Sequence, residues 1–167
     1  ASVARRNLIM VESATIVIFG KLLLASLLGM PIGTERAVLA RQAAGSRTFA
    51  LVALGSCLFI VIGVWVNNAY LGYVNFDPLR TAAAIISGIG FIGAGLIFFR
   101  QQSVHGITTA AGLWIAAGLG MATGFGMYAV AIFTAVLTLL ILTAMWYVEG
   151  RLKERFGLNE DNDSQSI

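Results

Sequence analysis

A single cysteine, Cys57, excludes an intrachain disulfide and a cysteine-based zinc site. Inside an apolar run, that thiol reads as inert packing. A single histidine, His105, has no His, Cys or carboxylate at ligand spacing, so it reads as a hydrogen-bonding loop residue rather than a metal ligand. Charge is scarce as well: 11% of residues, against about 25% in a typical soluble domain. The net charge of +3 is not gathered on one face, as nucleic-acid binding would require, so no nucleic-acid partner is expected. There is no nucleophile–base pair, phosphate-binding loop or HExxH, and the chain is not expected to be an enzyme or to carry catalytic residues or a resident cofactor.

What is present is apolar surface. Hydrophobic residues make up 58% of the chain, in runs of the roughly 18 or more residues that cross a hydrocarbon core of about 30 Å as helix. The predicted fold is all-α: an integral membrane bundle of about five transmembrane helices, with the lipid bilayer as its first partner. The predicted spans are Ala14–Gly33, Thr48–Val66, Arg80–Phe99, Ile107–Thr123 and Met127–Val148. Residues 1–13 form an N-terminal segment, 14–148 the membrane domain and 149–167 a charged tail, expected to be disordered beyond Leu158. Arg5 and Arg6 before an apolar run resemble a signal peptide, but the run is too long for one and Lys21 interrupts it, so it reads as a retained first helix.

Basic residues set the orientation. The first connection carries Arg36, Arg41 and Arg47, the third Arg100 and His105, and the tail Arg151, Lys153 and Arg155. The second has only Arg80 at its edge and the fourth none. Three basic islands on one side predict a cytoplasmic C-terminus and an outer N-terminus, against which Arg5 and Arg6 weigh mildly. Trp65, Tyr70, Tyr73 and Phe76 sit at an interfacial level.

Few residues can carry chemistry. Lys21 is the clear intramembrane charge, and its long stem is expected to snorkel to the interface. Glu35 and Arg36 follow GMPIG at the end of span one, where the carboxylate can pair with Arg36 or Arg47, or meet a cation; Glu35 is the candidate metal ligand. Arg80 can anchor to headgroups or pair with Asp77. Gly29 and Gly33 form a GxxxG pair suited to close helix contact. Gly88, Gly90 and Gly93 match the dinucleotide pattern GxGxxG, but they lie mid-helix in a membrane-length run without strand or acidic partner, so that reading fails. Together with Gly95 they instead predict close helix approach or a deformable path. Small residues on spans one, three and four predict a tight inner cluster, with spans two and five facing lipid.

The segment LLGMPIGTERAVLARQAAGSRT resembles the MgtC/SapB family signature, LGxxIGxER followed by AGxRT. The likeness continues through RTAAAIISGIGFIGAGLIF and VHGITTAAGLWIAAGLGMATGFG, covering Leu22 to Met127 and the fifth apolar run. Two positions depart from the pattern: Pro31 replaces a usual aliphatic residue and alters how Glu35 is presented, and Ser46 replaces a usual leucine at a helix start, where serine can cap. The resemblance implies a multi-pass bacterial inner-membrane protein linked to magnesium homeostasis, with Mg2+ as a transported or sensed ion. Family members are regarded as accessory to magnesium uptake or as modulators of membrane ATPases, so a membrane transporter or ATPase is the implied partner. In pathogens the family is linked to survival inside macrophages. Longer members carry a cytoplasmic C-terminal domain, and a short form without it is expected here, so virulence roles are not carried over. By motif, the implied functional positions are Glu35, Arg36, Arg47, Arg80, Thr108, Thr109, Trp114 and the glycines from Gly88 to Gly95. A homo-oligomer is expected. The alternative is that the chain itself transports magnesium or another cation, with Glu35 at the gate.

Overall fold

The computed structural model describes residues 2–40, 42, 44–70, 77–100 and 103–156. Arg41, Tyr73, Phe76, Gln101, Gln102 and the tail from 157 onward lie outside the described residues, as do the side chains of Arg5, Arg6, Arg100 and Lys153.

Among the described residues hydropathy produces five helices: α1 (Ser2–Val38), α2 (Ser46–Ala69), α3 (Pro78–Leu96), α4 (Ile107–Gly124) and α5 (Tyr128–Phe156). Each is long and apolar enough to cross a membrane, with mean span hydropathy between 1.3 and 2.6. This is a multi-pass membrane protein. Side-chain hydroxyls follow the same logic: Ser26, Thr34, Thr123, Thr138 and Thr143 each donate to the carbonyl four residues earlier. In lipid, where water cannot serve them, such back-bonding satisfies a polar group within its own helix.

Helix ends differ from those read in the sequence. α1 does not stop at Gly33 but continues through Pro31 to Val38, carrying Glu35 and Arg36 inside the helix. Span three ends at Leu96 rather than Phe99. A short antiparallel hairpin follows, β1 (Phe98–Arg100) with β2 (Ser103–His105), in which Phe98 faces His105 and their rings stack at 5.7 Å. α3 starts at an Asp77–Pro78 pair, and the Asp77 carboxylate accepts from the backbone N–H groups of Leu79 (2.9 Å) and Arg80 (3.3 Å). α2 begins at Ser46, but its N-cap is Gly45 and no side chain caps it, so Ser46 does not play the capping part expected of it. Among the described residues, two turns require glycine outright. Gly106 (φ 89°) opens α4, and Gly126 (φ 82°) turns the chain into α5.

The centre is α1, α2 and α4, and this corrects the expectation that span two faces lipid while span three lies inside. Half of the α4 span is buried, against 11% for α3. α2 contributes Phe49, Ala53, Cys57 and Ile60, all fully buried. α4 answers with its small-residue face. A Cβ at Gly120 would lie 2.1 Å from the Ala53 carbonyl oxygen, and one at Gly124 2.8 Å from Ile60 Cβ. α2 and α4 therefore touch backbone to backbone, the contact that small residues permit in lipid. α3 rests mainly on α4, and α5 packs through small residues such as Ala131 and Ala135.

Candidate functional site

Glu35 and Arg36 stand on the inward stripe of α1, one turn beyond Ile32 and Gly33, which are buried. Their side chains are 4% and 9% exposed, and Arg36 Nε lies 3.1 Å from Glu35 Oε2. Neighbours in sequence do not face each other on a helix. These two meet because both long side chains turn into the protein. Neither carboxylate oxygen nor Nε completes a hydrogen bond, so the attraction is ionic without directional support. Below the pair, the chain closes its turn with Leu39 N–H donating to the Glu35 carbonyl (2.9 Å) and Gln42 N–H to that of Arg36 (3.0 Å).

The glycines of α1 bring the pair under the start of α2. A Cβ at Gly33 would lie 2.6 Å from the Gly45 carbonyl oxygen, and one at Gly29 2.7 Å from that of Phe49. The GxxxG pair is thus a contact between α1 and α2 of one chain. The register against α4 follows from Gly112, whose Cβ would lie 3.0 Å from Phe49 Cε1 and 4.0 Å from Ile32 Cγ2. Lys21 meets Gly124 and Ile32 meets Gly112, so α1 and α4 run antiparallel. Three residues past Ile32, Glu35 stands level with Thr109, at the α4 N-terminus. The exposed N–H groups of a helix start carry partial positive charge, which favours a carboxylate at that level.

The remaining candidates scatter. Arg47 is exposed and is not joined to Glu35; Thr108 is exposed, whereas Thr109 is buried. Arg80 is exposed, and Asp77 serves its backbone N–H. Trp114 is 54% exposed and lines a groove between α3 and α4 with Gly90 and Gly93. Gly93 approaches Ala110 Cβ at 3.5 Å, but Cβ atoms at Gly88, Gly90 and Gly95 would meet nothing within 4 Å. Gly88, Gly90 and Gly95 look outward from the bundle.

Lys21 behaves differently from the expected free snorkel. Its Nζ donates to the Gly124 carbonyl at 2.8 Å, fastening α1 to the C-terminal end of α4. A cation there answers both an unpaired carbonyl and the negative end of the helix dipole. The partner is a backbone atom and left no trace in the sequence.

Chemically, a site with one carboxylate is limited. Among the described residues no three His, Cys, Asp or Glu side chains gather into a metal-binding group. Magnesium favours octahedral oxygen coordination and dehydrates reluctantly. Glu35 offers two oxygens without hydrogen bonds, beside a guanidinium that already neutralises them. What the carboxylate can do is exchange the guanidinium for another cation.

A model of the MgtC family matches residues 22–151. Over 137 residues the chain is 39% identical to a protein of Escherichia coli K12 named "Putative magnesium transporter YhiD", covering 81% of this chain and 63% of that one. It is 44% identical over 97 residues to protein SapB of Bacillus subtilis (56% of this chain, 41% of SapB). It is 47% identical over 90 residues to protein MgtC of Brucella abortus (54% of this chain, 35% of MgtC). The chain thus spans less than two thirds of each of these relatives. No solved structure matches it. A family match over most of the chain, on the segment that carries the buried Glu35–Arg36 pair, settles the kinship: this chain belongs to the MgtC family.

Proposed function

We propose that this chain serves magnesium homeostasis in the bacterial inner membrane as an accessory or regulator of a membrane transporter or ATPase. The observation that carries this reading is the character of the centre. Between α1, α2 and α4 lie Ile32, Phe49, Leu113 and Ala116, all fully buried, with one self-neutralised ion pair at the end. An ion path through a bundle needs a line of oxygens or a ring of charge, and this apolar packing supports a chain that acts on a neighbour instead. The basic residues at the Glu35 end favour a cytoplasmic side for that end and for the C-terminus.

A second reading has its own support. The two unbonded oxygens of Glu35, and the name of the Escherichia coli relative, favour a magnesium transporter that opens by parting Glu35 from Arg36. A homo-oligomer does not build a carboxylate ring from Glu35 without first exposing it, since that side chain is buried within one chain. Two measurements separate the readings. Purified chain in proteoliposomes is expected to give no magnesium flux, while cross-linking in native membranes recovers a transporter or ATPase. Magnesium flux abolished by Glu35→Gln would replace the first reading with the second.

A further inference from the structure

The helices α2 and α3 are held apart, and the space between them is a groove of about 790 Å³ with an almost wholly apolar lining. It runs from Thr48 and Ile92 at one end to Gly63 and Thr81 at the other. Fifteen residues of helix give it a length of about 22 Å. Its length exceeds the roughly 15 Å depth of one leaflet, which suits an extended hydrocarbon chain lying along α2.

The ends are not equivalent. On α2 the lining stripe passes through Leu51, Gly55 and Phe59, and one turn before Leu51 stands Arg47. Helical side chains lean toward the N-terminus, so Arg47 projects past the mouth of the groove. It is exposed and makes no ion pair with any described residue. Glu35, a carboxylate at that end, is buried and paired with Arg36. At the opposite end stands Arg80, three residues from the Asp77 carboxylate, which accepts from the Arg80 backbone N–H.

We propose that the α2–α3 groove is a binding site for an anionic phospholipid, with an acyl chain along Gly55 and Gly88 and the phosphate on Arg47. The site is independent of which functional reading holds. It places one lipid in the leaflet that bathes the start of α2, a step from the Gly45–Gly33 contact that covers Glu35.

The test uses the full chain reconstituted in vesicles of equal phosphatidylglycerol and phosphatidylcholine, extracted in mild detergent, with retained phospholipids counted by mass spectrometry. Wild-type chain is expected to retain phosphatidylglycerol over phosphatidylcholine by about fivefold, the factor that one cationic residue contributes at an anionic membrane surface. Arg47→Gln is expected to abolish the preference, and Arg80→Gln to leave it in place. Gly88→Leu fills the groove and should lower retention of both lipids. Its Cβ has open space, as does that of Gly55, so Gly55→Leu repeats the test should the first variant lose its helical circular dichroism. Equal retention of the two lipids by wild-type chain, a preference that survives Arg47→Gln, or retention untouched by the leucine variants would overturn the assignment. So would an intermolecular disulfide through Ala84→Cys, which would give the groove to a second copy.

Discussion

Helices α3 and α4 look alike on paper: both are apolar, rich in glycine and of membrane length, at 19 and 18 residues. In the bundle they are opposites. Three glycines of α4 press close on α2, with Gly120 against the Ala53 carbonyl, Gly124 against the Ile60 side chain and Gly112 against the Phe49 ring, whereas Gly88, Gly90 and Gly95 of α3 face open space. In lipid there is no hydrophobic force between helices, so a small residue acquires meaning only from the shape opposite it. α4 finds that shape in the small stripe Ala53, Ser56 and Cys57 of α2, all buried. α3 finds Ala110 at one point and is otherwise left to lipid and to the α2 groove.

Substituting the tightest glycine is the most direct way to break this contrast. Gly120→Leu would drive side-chain atoms into the Ala53 carbonyl, and main chain does not yield as a flexible side chain does. We expect a loss beyond about 4 kcal/mol, enough to prevent native packing. Gly112→Ala should be milder, at roughly 1–2 kcal/mol, because its obstacle is the movable ring edge of Phe49 at 3.0 Å. Unfolding of the detergent-solubilised chain by SDS, followed by circular dichroism, ranks the two. Equal midpoints would mean that α2 and α4 do not touch as described.

The ion pair comes next in size. Arg36→Met leaves a carboxylate 96% buried with no counter-charge, since its side chain is only 4% exposed. Removing one partner of a buried pair costs about 3 kcal/mol or more, while replacing both by groups of similar volume is often close to neutral. Glu35→Gln/Arg36→Met together should therefore recover most of what Arg36→Met loses in the same SDS titration. A double variant as unstable as the single would show that Arg36 is held by something other than Glu35.

The membrane architecture was legible because it rests on one physical quantity, the length of apolar runs. Five spans, the tight turn at Gly126 and the break at Asp77 all come from hydropathy or turn chemistry. The choice of inner and outer helices was not legible, because a leucine in lipid is equally content facing a helix or an acyl chain. Span two seemed greasy enough to face outward. Its stripe at 53, 56, 57 and 60 was the available signal, readable only by asking where small residues fall among the large ones. At the site, adjacency alone made Glu35–Arg36 the simplest pair to anticipate. The separation of Arg47 from Glu35 depends on how α2 is rotated, which no local pattern records. The hairpin at 98–105 was hidden because strands of three residues carry almost no alternation.

Lys21 sharpens the comparison from the far end of α4. Lys21→Met keeps the apolar stem and removes the donor to Gly124, leaving a helix-terminal carbonyl without that partner. A hydrogen bond from a charged group contributes about 1.5–3 kcal/mol, and half-buried placement puts the expected loss near the lower figure. Backbone amide exchange at the α4–α5 turn should quicken in the same variant. Exchange unchanged there would mean that Gly126, and not the lysine, holds the turn.

The smallest effect should fall on α3 and have the opposite sign. Gly90→Ala adds a methyl group where nothing lies within 4 Å, and it removes backbone freedom from the unfolded helix. Alanine is better than glycine in a helix interior by about 0.5–1 kcal/mol, so the variant should unfold at slightly higher SDS than wild type. Gly95→Ala should behave the same way, since its surroundings are equally open. Should either substitution instead destabilise the chain in lipid while leaving it intact in detergent, the outward glycines would be in contact with something that detergent strips away. The line between a packed helix and an unpartnered one would then hold for the isolated chain only.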